Sequence, residues 1–312
     1  VADISVEIHP DIGCGNTADP GIEYLYDITL HNMQGVIFRH NKIFPVGAEY
    51  HFIEGDGRIH GEGGIAGLFG IGGGLIIVPT LTFLFSAQGY SPQHILHLAL
   101  GTSLASIIFT SLSSLRAHHR RHGVIWPVVL SITPGILLGT FSGTWIAAQL
   151  SSRFLTFFFS LFLFYVATQM VLNIKPLPSR ELPSLPQKTL AGVVIGIFSS
   201  LVGIGGGTLS VPYLVFHNVQ IHRAIGTSAA IGLPIALAGS AGYMLNGLGL
   251  ETLPSGTIGF IHLPALAGLV AASMLTAPLG AQLAHSLPVD GLKRIFALLL
   301  YIVALRMFIG AL

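Results

Sequence analysis

The sequence reads Gly70-Ile71-Gly72-Gly73-Gly74-Leu75-Ile76-Ile77-Val78-Pro79 and reads again Gly203-Ile204-Gly205-Gly206-Gly207-Thr208-Leu209-Ser210-Val211-Pro212. Both stretches are Gly-Ile-Gly-Gly-Gly, three residues, then Val-Pro, and both lie inside long apolar runs. A helix interior tolerates one glycine at about 1 kcal/mol, so a cluster of them marks a break. Two breaks at matched places in the two halves of an apolar chain predict paired discontinuous helices. Membrane carriers build substrate sites from that arrangement.

Working outward, the chain of 312 residues is 52% hydrophobic and 9% charged, where soluble domains carry about 25% charged residues. Charge is unevenly placed. Residues 1–62 hold ten of the thirteen acids and only Arg39, Lys42 and Arg58 as bases. The remainder holds eleven bases and three acids, Glu181, Glu251 and Asp290. The single Cys14 excludes an intrachain disulfide and a thiolate zinc site. A net charge of +1 makes no case for nucleic acid. Lipid is the partner this much apolar surface calls for.

Residues 1–62 contain no run long enough to span and are expected to form an acidic segment outside the membrane. Their start is acidic with no apolar stretch behind it, so no signal peptide is expected. Between Glu62 and Arg116 there is no Asp, Glu, Lys or Arg. A span needs about 20 apolar residues, so this gap fits two, near 64–86 and 93–115. A basic loop follows, Arg116-Ala117-His118-His119-Arg120-Arg121-His122, then spans near 123–149 and 154–174. Four prolines between Lys175 and Lys188 mark a linker. Further spans fall near 189–216, 221–245, 257–283 and 292–312.

The halves align beyond the glycines. Gly101-Thr102-Ser103 matches Gly226-Thr227-Ser228, and Ala148-Gln149-Leu150 matches Ala281-Gln282-Leu283. The expected fold is an all-α integral membrane protein of about eight transmembrane helices, in two four-helix repeats (63–174 and 189–312) joined by the linker 175–188. Four simple spans per half give parallel repeats; re-entrant breaks would invert them, and both remain open. With simple spans, six basic residues face one side and four the other. The first side is then cytoplasmic, with both termini there.

The doubled Gly-Ile-Gly-Gly-Gly with Val-Pro, the following Gly-Thr-Ser, and the basic loop leading to Trp126 resemble the sulfite exporter TauE/SafE family. The resemblance covers about 65–312. It implies an inner-membrane permease that exports sulfite, organosulfonates or related small anions. One departure stands out. Members carry an apolar half-span before the first motif, whereas here Glu54 to Glu62 is polar and charged.

The glycine motif is neither a dinucleotide fingerprint, since Leu75 and Thr208 occupy the third glycine position, nor a P-loop, since no Lys follows. Two readings remain. Small residues let membrane helices pack closely. Alternatively, amides of Gly72, Gly73, Gly74, Gly205, Gly206 and Gly207 face a small anion at the positive end of the helix that follows. Thr102, Ser103, Thr227 and Ser228 would add hydroxyls to that substrate site, or else bond back to their own helices. Arg306, the one strongly basic residue well inside an expected span, either faces the bundle as an anion or gating residue or snorkels to the interface.

The expected spans contain no acid, which suits an anionic substrate and leaves histidine as the only group titrating near neutrality. His94, His97 and His262 sit near span ends, as interfacial residues or as relays. His118, His119 and His122 read as a solvated basic loop, with no metal site expected. No cofactor is implied, and no catalytic constellation is present in the apolar region. A membrane-embedded enzyme and a structural subunit are the alternatives to a carrier. A homo-oligomer is compatible with the sequence.

Overall fold

The computed structural model describes residues 73–172, 183–273 and 289–311. Residues 1–62, Gly72 and most of the linker lie outside the described residues. Nine helices are described: α1 (Gly73–Ala87), α2 (Ile95–Arg120), α3 (Trp126–Gln149), α4 (Ser152–Leu172), α5 (Leu185–Val202), α6 (Gly207–Phe216), α7 (Ile221–Gly247), α8 (Leu263–Ser273) and α9 (Val289–Ala311). A hairpin of two short strands, β1 (Thr257–Ile258) and β2 (Ile261–His262), precedes α8.

Six of these helices, α2, α3, α4, α5, α7 and α9, are long and apolar enough to cross a bilayer, against the eight expected. The remaining three are shorter apolar helices. Large apolar side chains stand outward on the bundle, including Leu130, Trp145, Leu190 and Leu298. An exposed apolar surface of this kind belongs in lipid.

Local chemistry sets the helix ends. Pro127 sits in the first turn of α3 and Pro186 in that of α5, where a missing N–H costs nothing. Gln187 Oε1 accepts the Ser184 N–H at 3.3 Å ahead of α5.

Packing fixes the directions. Helices α3 and α5 run side by side in the same sense, along a seam of glycines. Gly135 and Gly139 meet the backbone of Thr189 and Val193, and Gly192 and Gly196 meet that of Ile132 and Ile136. Any Cβ there would strike backbone. Helix α7 runs with α3, since Gly239 lies on Thr140 and Gly242 on Thr144. It opposes α2, since Gly226 abuts Gly123 beyond the end of α2 while Gly101 abuts Tyr243 and Phe260. Helices α4 and α9 are also antiparallel: Phe157 meets Phe308, and Phe164 and Thr168 meet Tyr301.

The segment 189–216, for which the sequence leaves a simple span and a re-entrant break both open, turns back on itself. The end of α5 lies deep in the bundle, where Tyr243 Oη donates to the Ser200 carbonyl at 3.1 Å. The chain then retreats along α7 toward that helix's start. Gly206 lies on Ile235, and Ser210 Oγ is 2.6 Å from Ser228 Oγ. At about 1.5 Å per residue, α5 descends about 27 Å and α6 returns about 15 Å. Both mouths of this hairpin lie at the end of the bundle that carries Arg116, Arg120 and Arg121.

Candidate functional site

The hairpin tip is built by two left-handed glycines. Gly203, at φ +70°, ends α5, and the Ser199 carbonyl accepts the N–H groups of Gly203 at 2.9 Å and Ile204 at 3.1 Å. Gly206, at φ +78°, opens α6, and its carbonyl accepts Leu209 N–H at 3.0 Å and Ser210 N–H at 2.8 Å. Both φ values lie where a Cβ is penalised, which is why glycine stands at these two places. Between them Ile204 is fully buried.

This turn leaves donors over. Among the described residues, the amides of Gly205, Gly206, Gly207 and Thr208 have no hydrogen-bond partner. The hydroxyls of Ser199 and Thr208 are buried and unpaired beside them. A Cβ on Gly206 would come into contact with the Ser199 hydroxyl. Two more hydroxyls are buried and unpaired: Thr140 on α3, which lies against Gly196 of α5 and Gly239 of α7, and Ser240 on α7. Unpaired polar groups in a bundle interior cost about 1–3 kcal/mol each. With the positive end of α6 on the same spot, the tip offers donors and no acid, a setting that suits an anion.

The first copy of the motif contributes packing. Gly73 opens α1. Gly74 approaches so closely that a Cβ there would strike the Gly203 carbonyl and the Ile204 side chain. Val78 and Leu100 both pack on the face of Gly203 where a Cβ would stand.

The Gly-Thr-Ser hydroxyls are spoken for. Ser103 Oγ donates to the Gly203 carbonyl at 2.9 Å. Ser228 Oγ pairs with Ser210 Oγ, which also reaches the Gly206 carbonyl at 2.8 Å. Thr102 Oγ1 accepts the His262 N–H and Thr227 Oγ1 accepts the Ile125 N–H, each at 3.0 Å. His262 and Ile125 are the residues that lead into α8 and α3. Each threonine therefore serves the start of a helix in the other half, and neither bonds back to its own helix.

Arg306 is exposed and lies over the Phe83 ring, 5.1 Å from its centroid. The guanidinium stacks on an aromatic face at the outside of the described bundle. His262 is buried, with Nδ1 accepting the Ala265 N–H at 3.1 Å. Its Nε2 therefore carries the proton and donates to Tyr90 Oη at 3.2 Å. Burial pulls the His262 pKa below its ordinary value. In the basic loop, Trp126 Nε1 donates to His119 Nδ1 at 3.2 Å.

Ser199, Thr208, Thr140 and Ser240 were not singled out by sequence reasoning. Isolated hydroxyls are common in apolar helices and usually bond back to the preceding turn. A signal did exist: at the motif's own offset, Ser199 and Thr208 replace Ala66 and Leu75 of the first copy.

The family model described as Sulfite exporter TauE/SafE matches residues 62–307. A probable membrane transporter protein of Haemophilus influenzae is 38% identical over 249 residues, covering 79% of this chain and 94% of its own length. A probable membrane transporter protein of Methanocaldococcus jannaschii is 33% identical, over 61% of this chain and 74% of its own. The probable membrane transporter protein YdhB of Bacillus subtilis is 27% identical, over 73% and 89% respectively. No solved structure matches the chain.

Proposed function

The chain belongs to the sulfite exporter TauE/SafE family, a family of membrane transporters, and on that premise we propose that it carries sulfite, an organosulfonate or a related small oxyanion across the inner membrane. The observation that carries this reading is the hairpin tip. Four free amides, two buried unpaired hydroxyls and a helix N-terminus converge there, without a carboxylate.

The proposed site is asymmetric. The second copy supplies Gly205, Gly206, Gly207, Ser199 and Thr208 as donors. The first copy, with Leu75 in place of Thr208, supplies Gly74 as the floor on which Gly203 rests. Thr102, Ser103, Thr227 and Ser228 hold the scaffold.

The same geometry supports inverted repeats. With α5 and α6 as a re-entrant hairpin, and with α2 opposing α7 and α4 opposing α9, the two halves run in opposite senses. Among the described residues, Arg116, Arg120, Arg121, Lys188, Arg223 and Arg294 then fall at one end of the bundle. Among those same described residues, Arg153 and Arg306 lie toward the other end. This asymmetry is steeper than six against four. It supports a cytoplasmic hairpin mouth, with α9 ending on the opposite side.

Ser199→Ala tests the site. Removing a buried unpaired hydroxyl relieves a cost, so the melting temperature should hold or rise. If the hydroxyl binds the anion, sulfite affinity and proteoliposome flux should fall about tenfold or more, as expected for a hydrogen bond to a charged group. A variant with unchanged sulfite affinity and flux would remove the tip from the binding site.

A further inference from the structure

At the end of the bundle opposite the basic loops lies a cavity of about 500 Å³. Small-molecule sites span about 300–1,000 Å³. The cavity is walled by the start of α2, the end of α3 and the loop after α7. Among its lining residues Gln93, Gln149, Ser151 and Leu250 are exposed, whereas His97 and Phe260 are each 3% exposed. The first four form its rim and the last two its floor. Phe260 stands in the turn of the β-hairpin, next to the pair Ile258 and Ile261.

That hairpin is seated between α2 and α7. Phe260 N–H donates to the Tyr243 carbonyl at 3.2 Å, and His262 N–H to Thr102 Oγ1 at 3.0 Å. A Cβ on Gly101 would strike the Phe260 carbonyl, and one on Gly247 the Phe260 nitrogen. The Phe260 ring stacks on His97, centroids 5.1 Å apart, and meets the Tyr243 ring edge-on at 6.4 Å. Tyr243 is fully buried, and its Oη reaches the Ser200 carbonyl, one residue from Ser199 at the α5–α6 tip. Contacts thus run unbroken from the cavity floor through Phe260 and Tyr243 to the end of α5. The triplet Gly101-Thr102-Ser103 touches both ends of this line. Gly101 and Thr102 hold the β-hairpin, and Ser103 holds the Gly203 carbonyl at the tip.

We infer that Phe260 is the stopper of an outer gate. The cavity is the vestibule between the α5–α6 tip and that side of the membrane, and the β-hairpin carries Phe260 into and out of the anion's way. An anion cannot keep its water between packed aromatic rings, and apolar constrictions close a pathway by dewetting. The hairpin is built to shift as a unit. Its strands are two residues each, too short to be stable alone, so the bundle contacts decide its position. Leu263 N–H closes it on the Gly256 carbonyl at 3.0 Å, a bond that survives withdrawal from the seat. Gating of one element around a fixed site is how carriers alternate access.

The inference rests on the anion-carrier reading and adds control of access to its site. Its test is cysteine labelling of the full chain in membranes, in a Cys14→Ser background. The probe is an impermeant, sulfonate-bearing methanethiosulfonate, applied to the side from which Gln149→Cys on the rim reacts. Ser199→Cys, beyond the stopper, should react at least about tenfold more slowly than Gln149→Cys. Adding Phe260→Ala should raise the Ser199→Cys rate about tenfold and leave that of Gln149→Cys unchanged. Ala167→Cys, fully buried on α4, should stay unreactive throughout. If it reacts, Phe260→Ala has loosened the bundle, and Phe260→Leu replaces it, with a rise of a few-fold expected for a narrower apolar stopper.

A Ser199→Cys that reacts as fast as Gln149→Cys with Phe260 in place overturns the inference. So does one whose rate neither variant raises while Ala167→Cys stays silent. Sulfite flux into proteoliposomes is measured on the same Phe260 variants and on the parent. Labelling that depends on Phe260, without flux in any sample, upholds the gate and condemns the carrier reading. Flux with labelling indifferent to Phe260 does the reverse.

Discussion

The Ser103 hydroxyl reaches the Gly203 carbonyl across 2.9 Å, tying the Gly-Thr-Ser of one half to the helix break of the other. This bond holds the break without occupying its free amides. Ser103→Ala should leave the Gly203 carbonyl unpaired at a cost of about 1–3 kcal/mol, lowering the melting temperature by several degrees. Flux per folded molecule should persist. Differential scanning fluorimetry and proteoliposome uptake on one preparation check both parts, and a stable, inactive variant would return Ser103 to the binding site.

Thr102 and Thr227 each lie near the start of their own helix, at opposite ends of the antiparallel α2–α7 pair, and do the same job, so their variants should behave alike. Thr102→Val and Thr227→Val keep shape and remove the acceptor from a buried and a partly buried N–H respectively, at up to about 1–3 kcal/mol each. Because the sites share no partner, the double variant should lose the sum to within about 0.5 kcal/mol. Unfolding midpoints of the two singles and the double test this.

The break itself was legible in the glycines. Its fold-back was not, because 189–216 has the length and composition of a single crossing, and nothing local distinguishes a retreat from a continuation. Direction is set by the glycine seam between α3 and α5 and by Ser210 meeting Ser228, contacts between segments far apart in sequence. The hydroxyl partners were hidden for the same reason: Thr102 serves an amide 160 positions away. The sequence leaves Arg306 with two readings because a helix pattern gives depth and not azimuth. Its neighbour Met307 is buried while Arg306 itself is exposed.

Orientation is open to chemical labelling. In a Cys14→Ser background, Arg120→Cys should resist an impermeant thiol reagent in intact cells and react once the membrane is opened. Leu250→Cys, in the exposed loop after α7, should react in intact cells. The reverse pattern would overturn the assignment of the basic end to the cytoplasm.

Stability should fall in acid. His262 is buried neutral and caps α8 through Nδ1, so the folded state binds its proton less readily than the unfolded chain does. That contribution is complete above the unfolded value, about pH 6.5, and is lost as pH drops through the lowered folded value. Melting temperature measured from about pH 7.5 down to 5 should decline, with a shallower decline in His262→Gln. An identical slope in the variant would assign the acid sensitivity elsewhere.

The exchanged bonds from Thr102 to His262 and from Thr227 to Ile125 carry a consequence for biosynthesis. When the ribosome has delivered only the first half, the amide that leads α3 still waits for a threonine 102 residues downstream. A span inserted early thus stays polar at one end until its counterpart emerges. Neither half closes its own hydrogen bonds, and the two must mature as one cooperative unit. Halves synthesised as separate chains would have to find each other in the bilayer before either could settle, and either one made alone would be quality-control substrate.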